Sequence, residues 1–304
     1  EYSYGLLLAT GQGVEADLVQ ALAWFERAAG HGNIAAMLSA GRMYMQGMGV
    51  DRDYARAEEW IAMAARSGEP EAVYLLARLK ERARGAGSDD LPTVKKAAEA
   101  GYPQAQYDLA VRYLQGDEVA QDTAKGMELL TRAAESGLPR AQYDLGVLYE
   151  CGEMVDRDRT VARRWLEAAA QADYARAQYM MGQFFAEPGS SDYSYEKAAA
   201  WYLRAANQGL PEAAYAMGYA HAHGEGVAAD DKLAHKWFMQ AAQAGYGPAQ
   251  FALSHIYYNG DGVARSEYQS RQWLCRAARS GHREASASVG ERGGIEQYCG
   301  SISR

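Results

Sequence analysis

The chain has 304 residues, 48% of them hydrophobic, and a formal charge of −8 carried by interspersed acids and bases. That balance argues against a general nucleic-acid or anionic-membrane binder, which would be basic. No apolar run approaches the roughly 18 residues needed to span a bilayer, and the three cysteines show no metal-ligand spacing.

Tyr4-Gly5 aligns with Ala40-Gly41 one period later, so the chain opens inside a helix, which places any signal peptide or lipid anchor upstream of it. Residues 1–32 read as a truncated helix, the loop Gly11-Gln12-Gly13-Val14 and a helix through Trp24. Full units follow at 33–68, 69–101, 102–137, 138–173, 174–209, 210–245 and 246–281, each a helix A, a Gly- or Asp-rich loop and a helix B. In the third helix B the run Arg84-Gly85-Ala86-Gly87-Ser88-Asp89-Asp90-Leu91-Pro92 predicts a shortened helix and looser packing, either a hinge or a tolerated deletion. The loop Glu187-Pro188-Gly189-Ser190-Ser191-Asp192-Tyr193 keeps the period but loses the usual Gly-x-Gly-Val, as a specificity insert or as drift. Residues 282–304 begin one more helix A, break at Gly293-Gly294 and cap the array. The whole is one elongated repeat domain, 1–304, since a stack has no single core.

The period is counted from the anchors Gly32, Gly68, Gly101, Gly137, Asp173, Gly209, Gly245 and Gly281, 36 residues apart except for one step of 33. Two alanines stand four and three residues before each anchor, as in Ala133-Ala134. An alanine stands four residues after it, and a Gly, Ala or Ser nine after it, as at Gly41, Gly146, Gly182 and Gly218. Eight before it an aromatic or apolar residue usually stands: Trp24, Trp60, Leu129, Trp165, Trp201, Trp237 and Trp273, with Thr93 the exception. Mid-helix Gly costs roughly 1 kcal/mol relative to Ala, so the small column predicts close approach of a neighbouring helix backbone, with the Trp filling the wider gap beside it.

Ala141, Leu145-Gly146 and Tyr149, with Gly47-Met48-Gly49-Val50 and Gly224-Glu225-Gly226-Val227, resemble the Sel-one-like repeat (SLR) family, a relative of the tetratricopeptide repeat. The resemblance covers nearly the whole chain. It implies an all-α fold, an α/α solenoid (right-handed superhelix) of stacked 36-residue helix-turn-helix repeats whose A helices line the concave face. It also implies a bacterial scaffold that binds other proteins.

On that face the residue six after each anchor forms an aromatic ladder: Tyr74, Tyr107, Tyr143, Tyr179, Tyr215 and Phe251, with Leu38 at its start. Tyr gives large contact area, small entropy cost and a hydroxyl, which suits binding; packing between repeats is the alternative. The partner-binding residues are expected to be Tyr107, Tyr143, Tyr179, Tyr215, Tyr219, Phe251, His255, Tyr258 and Asn259. The expected ligand is a protein segment or extended peptide, with a polysaccharide or peptidoglycan strand as the alternative.

No catalytic, cofactor or metal site is expected. The Gly-x-Gly pieces follow helices and lack the Lys-Ser/Thr of a phosphate loop. His221 and His223, two apart, point to different sides of a helix. Ser194-Tyr195-Glu196-Lys197 has the Ser-x-x-Lys spacing of penicillin-binding enzymes without the accompanying Ser-Asp-Asn and Lys-Thr-Gly. Some secreted, cysteine-rich members of the family are linked to β-lactam binding or hydrolysis through regularly spaced cysteine pairs, which this chain lacks. A bridge between Cys275 and Cys299 would pin the tail, favouring a periplasmic or secreted setting over the cytoplasm, with Cys151 left free.

Overall fold

The computed structural model describes residues 1–84, 91–190, 192–292 and 294–300; residues 85–90, the core of the anomalous segment, lie outside them. Among the described residues there are eighteen helices and no strand. The chain divides into two compact units, Glu1–Ala141 and Gln142–Arg304. The first holds α1 (Tyr2–Thr10), α2 (Leu18–Gly30), α3 (Ile34–Gln46), α4 (Tyr54–Ala65), α5 (Pro70–Arg84), α6 (Leu91–Glu99), α7 (Pro103–Gln115) and α8 (Thr123–Glu135). The division falls in the first turn of α9 (Pro139–Cys151). The second unit continues through α10 (Arg159–Gln171), α11 (Ala175–Ala186), α12 (Tyr195–Asn207), α13 (Pro211–His223), α14 (Asp231–Gln243), α15 (Gly247–Asn259) and α16 (Glu267–Arg279). Two short helices, α17 (Arg283–Gly290) and α18 (Gly294–Cys299), close it. The fold is an all-α solenoid in which consecutive helices pair, A against B. No helix among the described residues is long and apolar enough to cross a membrane.

Local chemistry sets the boundaries. Each B helix of the regular repeats starts at an acid or a serine whose side chain accepts a backbone N–H: Asp17, Asp53, Asp122, Asp158, Ser194, Asp230 and Ser266. Proline in the first turn suits several A helices, at Pro103, Pro211 and Pro248, because the missing N–H is unpaired there anyway. The B-to-A turn closes at the anchor: the Gly137 N–H donates to Ala134 O and Leu138 N–H to Ala133 O. Asp173 holds the same left-handed conformation, φ 58°. Its carboxylate accepts from Gln178 Nε2 at 3.0 Å and from Arg204 at 2.8 Å, contacts a glycine could not make.

Apart from the half-buried Ala65 and the exposed Gly290, the paired alanines and the small column are buried, but the large residue they accommodate is not the Trp. A Cβ on Gly146 would lie 2.6 Å from Leu166 Cγ and 3.1 Å from the Ala162 carbonyl oxygen. Phe25, Ile61, Tyr202 and Phe238 press in the same way on Gly5, Gly41, Gly182 and Gly218. These residues follow the Trp position directly. One helical step of about 100° turns them into the A–B seam and leaves the Trp at its edge. Trp24, Trp60, Trp165, Trp201 and Trp237 are accordingly half-buried, and only Trp273 is buried. Arginines three residues on cover several of these rings, Arg27 over Trp24 and Arg204 over Trp201 among them.

Helix α6 has 9 residues where the other B helices have 12 or 13. This helix is described only from Leu91, directly after residues 85–90, so the expected shortening of its start lies outside the described residues. Cys275 and Cys299 form a disulfide with Cα atoms 5.8 Å apart, pinning α18 to α16. Cys151 is free and exposed. Glu187 and Asp192 of the irregular loop pair with Arg159 and Arg163, so α10 anchors that loop.

Candidate functional site

The residue six after an anchor sits in the middle of helix A and meets the residue that starts helix A of the next repeat. Tyr74 packs on Tyr102 with ring centroids 5.2 Å apart, and Tyr143 packs on Tyr174 at 5.2 Å. Tyr215 packs on Tyr246 at 5.5 Å, and Phe251 stacks on His282 at 4.8 Å. One face of each rung is therefore an inter-repeat joint. Beneath it a second row locks the turn: Gln178 Nε2 donates to Ala170 O and Gln250 Nε2 to Ala242 O. Gln208 and Ser280, at the ends of the B helices of the same repeats, donate to the side-chain oxygens of these two glutamines.

How much of each rung remains open varies along the chain. Tyr107, in the first unit, is buried, with the Arg140 guanidinium over its ring. Tyr143, Tyr179, Tyr215 and Phe251, all in the second unit, are half-buried. Four residues on, one helical turn along the same face, Tyr219 is 44% exposed and stacks on His223. His255 is exposed and stands edge-on to Phe251. Tyr258 and Asn259 are exposed at the end of α15, where Arg265 lies over the Tyr258 ring and Asn259 bonds Asp261. The structure thus sets Tyr179, Tyr215, Tyr219, Phe251 and His255 in register on α11, α13 and α15.

Tyr179, Tyr215 and Tyr219 also share a pocket of about 300 Å³ with three residues that the sequence did not single out, Tyr195, Tyr202 and Glu225. Alanines of α12 and α13 complete the walls. Tyr202 comes from the seam of α12, in the place other repeats fill with Leu, Ile, Val or Phe. Glu225 is the variable residue of Gly224-Glu225-Gly226-Val227. Gly226, at φ 74°, lies against the Tyr195 carbonyl with no room for a Cβ, which brings the loop to the start of α12. Burial pushes the phenols of Tyr179, Tyr202 and Tyr215 above their ordinary range. Tyr195 is pushed up to about 12, first by its hydrogen bond with Tyr193, then by desolvation and Glu225. All four are neutral at physiological pH and offer hydroxyls that both donate and accept. The signals were present in the sequence as a Tyr in an otherwise aliphatic or Phe column and an acid between two loop glycines.

The other candidate motifs have structural duties. Ser194 Oγ caps α12 at the Lys197 N–H and donates to Glu196, while the Lys197 ammonium lies over the Phe185 ring. A wider cavity in the first unit, about 600 Å³, is lined by Arg52, Arg78 and Arg82, but Arg78 pairs with Glu81 and Arg82 covers Tyr54. Among the described residues no three His, Cys, Asp or Glu side chains are placed to hold a metal ion.

The Sel1 repeat family model matches residues 1–33, 34–69, 103–138, 139–174, 175–210, 211–246 and 247–282. The chain belongs to the Sel1 repeat family. Residues 70–102, which hold nearly all of the short third repeat, and residues 283–304 are not matched. Among solved structures the chain is similar to c5321, a protective antigen present in uropathogenic Escherichia coli strains that displays an SLR fold. Identity is 30% over 98% of this chain and 65% of that one, with a TM-score of 0.73. This chain thus spans less than two thirds of that protein. A Sel1 repeat protein from Oxalobacter formigenes is 30% identical over 90% of this chain and 80% of its own, with a TM-score of 0.63. The immunity protein Pa5087 from Pseudomonas aeruginosa, 19% identical over 80% of each chain with a TM-score of 0.50, shares the fold. No curated protein sequence matches the chain. Sel1 repeat proteins are generally non-catalytic scaffolds that bind other proteins.

Proposed function

We propose that this chain is a bacterial-type adaptor that holds an extended segment of another protein along the helix-A face of its second unit. The observation that carries the reading is the in-register row Tyr179, Tyr215, Tyr219, Phe251 and His255, each with ring surface left over after its packing contacts. Rings pinned on one side by the next repeat lose little entropy when a ligand covers the other side, which is the economy of a preorganised interface. Tyr258 and Asn259 extend the row at its end. Tyr143, half-buried in the same unit, belongs to the same column, whereas Tyr107 is buried in the first unit and is left out of the proposed face. The bacterial sources of the two relatives at 30% identity support the bacterial setting, and the Cys275–Cys299 bridge supports an oxidising compartment, periplasmic or secreted.

The test is capture of partners from a native bacterial lysate, followed by titration of the purified partner against the chain and against Tyr219→Ala/His255→Ala/Tyr258→Ala. These three side chains are exposed, so the variant keeps its helical circular dichroism. Loss of binding of about 2 kcal/mol or more is expected if they are interface anchors. Unchanged affinity would move the interface elsewhere, and retention of a glycan or peptidoglycan fraction in place of protein would overturn the reading.

A further inference from the structure

The tyrosine pocket of the second unit has a chemistry of its own. Its lining combines five phenolic rings with one carboxylate, Glu225, and contains no Lys, Arg or His. Ring faces carry negative electrostatic potential and attract cations. Glu225 neighbours the Tyr195 phenol and makes no ion pair among the described residues. A second carboxylate lies close by: Glu212, in the first turn of α13, acts electrostatically on Tyr179 and has a buried oxygen without a hydrogen-bond partner. Glu225 takes a hydrogen bond from the Tyr195 phenol, but its negative charge is not balanced by an ion pair among the described residues, and a cation would relieve that beside neutral, partly desolvated rings. At about 300 Å³ the pocket is at the small end of ligand sites, suited to one side chain rather than a helix.

Resting on the adaptor reading above, we propose that this pocket takes the cationic side chain, arginine or lysine, of the bound protein segment. The rings of Tyr202, Tyr215 and Tyr219 flank the cation, Glu225 neutralises it, and the phenolic oxygens accept its N–H donors. Elsewhere in the same chain guanidinium groups already lie over aromatic rings, as Arg204 does over Trp201 and Arg271 over Tyr298.

The probes are Nα-acetyl-arginine methylamide and Nα-acetyl-lysine methylamide, titrated to millimolar concentration into the full chain, with the citrulline and norleucine derivatives as neutral comparators. Tyrosine ring resonances report the site. The cationic probes are expected to shift the signals of Tyr195, Tyr202 and Tyr219 saturably, and the arginine and lysine arms decide which cation fits better. Neutral comparators should leave those signals in place. Added salt should weaken the interaction, and Glu225→Gln, a loop substitution that preserves shape, should weaken it about tenfold. Equal shifts from cationic and neutral probes, no shift from any of them, or full affinity in a Glu225→Gln chain with native circular dichroism would each overturn the proposal. Partner binding that fails with Tyr219→Ala/His255→Ala/Tyr258→Ala yet ignores Glu225→Gln would leave the adaptor reading standing and remove the cation pocket alone.

Discussion

At Gly146 and Leu166 a single hydrogen atom separates a fitted seam from a clash. Any side chain at Gly146 must displace Leu166, and the Ala162 carbonyl, 3.1 Å from the same Cβ position, cannot rotate away. Gly146→Leu is therefore expected to cost about 1–3 kcal/mol or more, read from urea unfolding followed by circular dichroism; a parent-like midpoint would refute the close fit. The same geometry ranks two truncations. Leu166 is fully buried, and Leu166→Ala should cost about 2–5 kcal/mol. Trp201 is half-buried, with Arg204 over its ring, so Trp201→Ala should cost less, about 1–3 kcal/mol. The reverse order would put the Trp back in the seam. Sequence alone favours the Trp because it is the largest repeating side chain. Which of two adjacent helical residues faces the partner depends on rotational phase, and the periodicity of a single helix leaves that open by about one step.

Capping makes each helix pair a defined element. Asp158 accepts the N–H groups of Thr160 and Val161 at the start of α10. Asp158→Ala should cost about 1 kcal/mol, and Asp158→Asn much less, since the amide oxygen still accepts. At the C-terminus the Cys275–Cys299 bridge closes a loop of 24 residues and holds α18, only 6 residues long, against α16. Cys299→Ser should lower stability by about 3 kcal/mol in the chain-entropy estimate. The loss should be visible as early proteolysis near residue 290 while the regular repeats persist; an unchanged cleavage pattern would show that α18 docks without the bridge. Caps, turns, repeat register and the cysteine pairing option were legible in the sequence because each rests on residues within one period. The ladder was legible as a column, but its contact with the first residue of the next A helix was not, since that needs the repeat-to-repeat stacking. The pocket was the least legible feature. Tyr179, Tyr202, Tyr215 and Glu225 come from α11, α12, α13 and the following loop, and Tyr202 and Glu225 read locally as an odd seam residue and a turn residue.

Scaled to the whole chain, the same local logic decides how damage spreads. Within each unit the substantial helix packings run between consecutive helices, with α16 against α18 the added contact. Each repeat is then stabilised by itself and its neighbours, and a lesion in one should not be shared equally by all. Leu166→Ala removes buried surface from the α9–α10 seam and from the cluster that includes Ala169, Ala177 and Met181. Amide hydrogen exchange followed by mass spectrometry should show lost protection in α9 to α12, fading through α13, while α15–α16 and the first-unit pairs α2–α4 exchange at parent rates. A chain that unfolds as one cooperative body would instead lose protection by the same free energy at its slowest amides everywhere. The outcome bears on function, because the proposed adaptor face on α11, α13 and α15 depends on repeats holding register with their immediate neighbours. If protection is lost locally, a lesson for design follows: Phe251 and His255 should keep their surface when α10 is weakened, whereas Tyr179 should not.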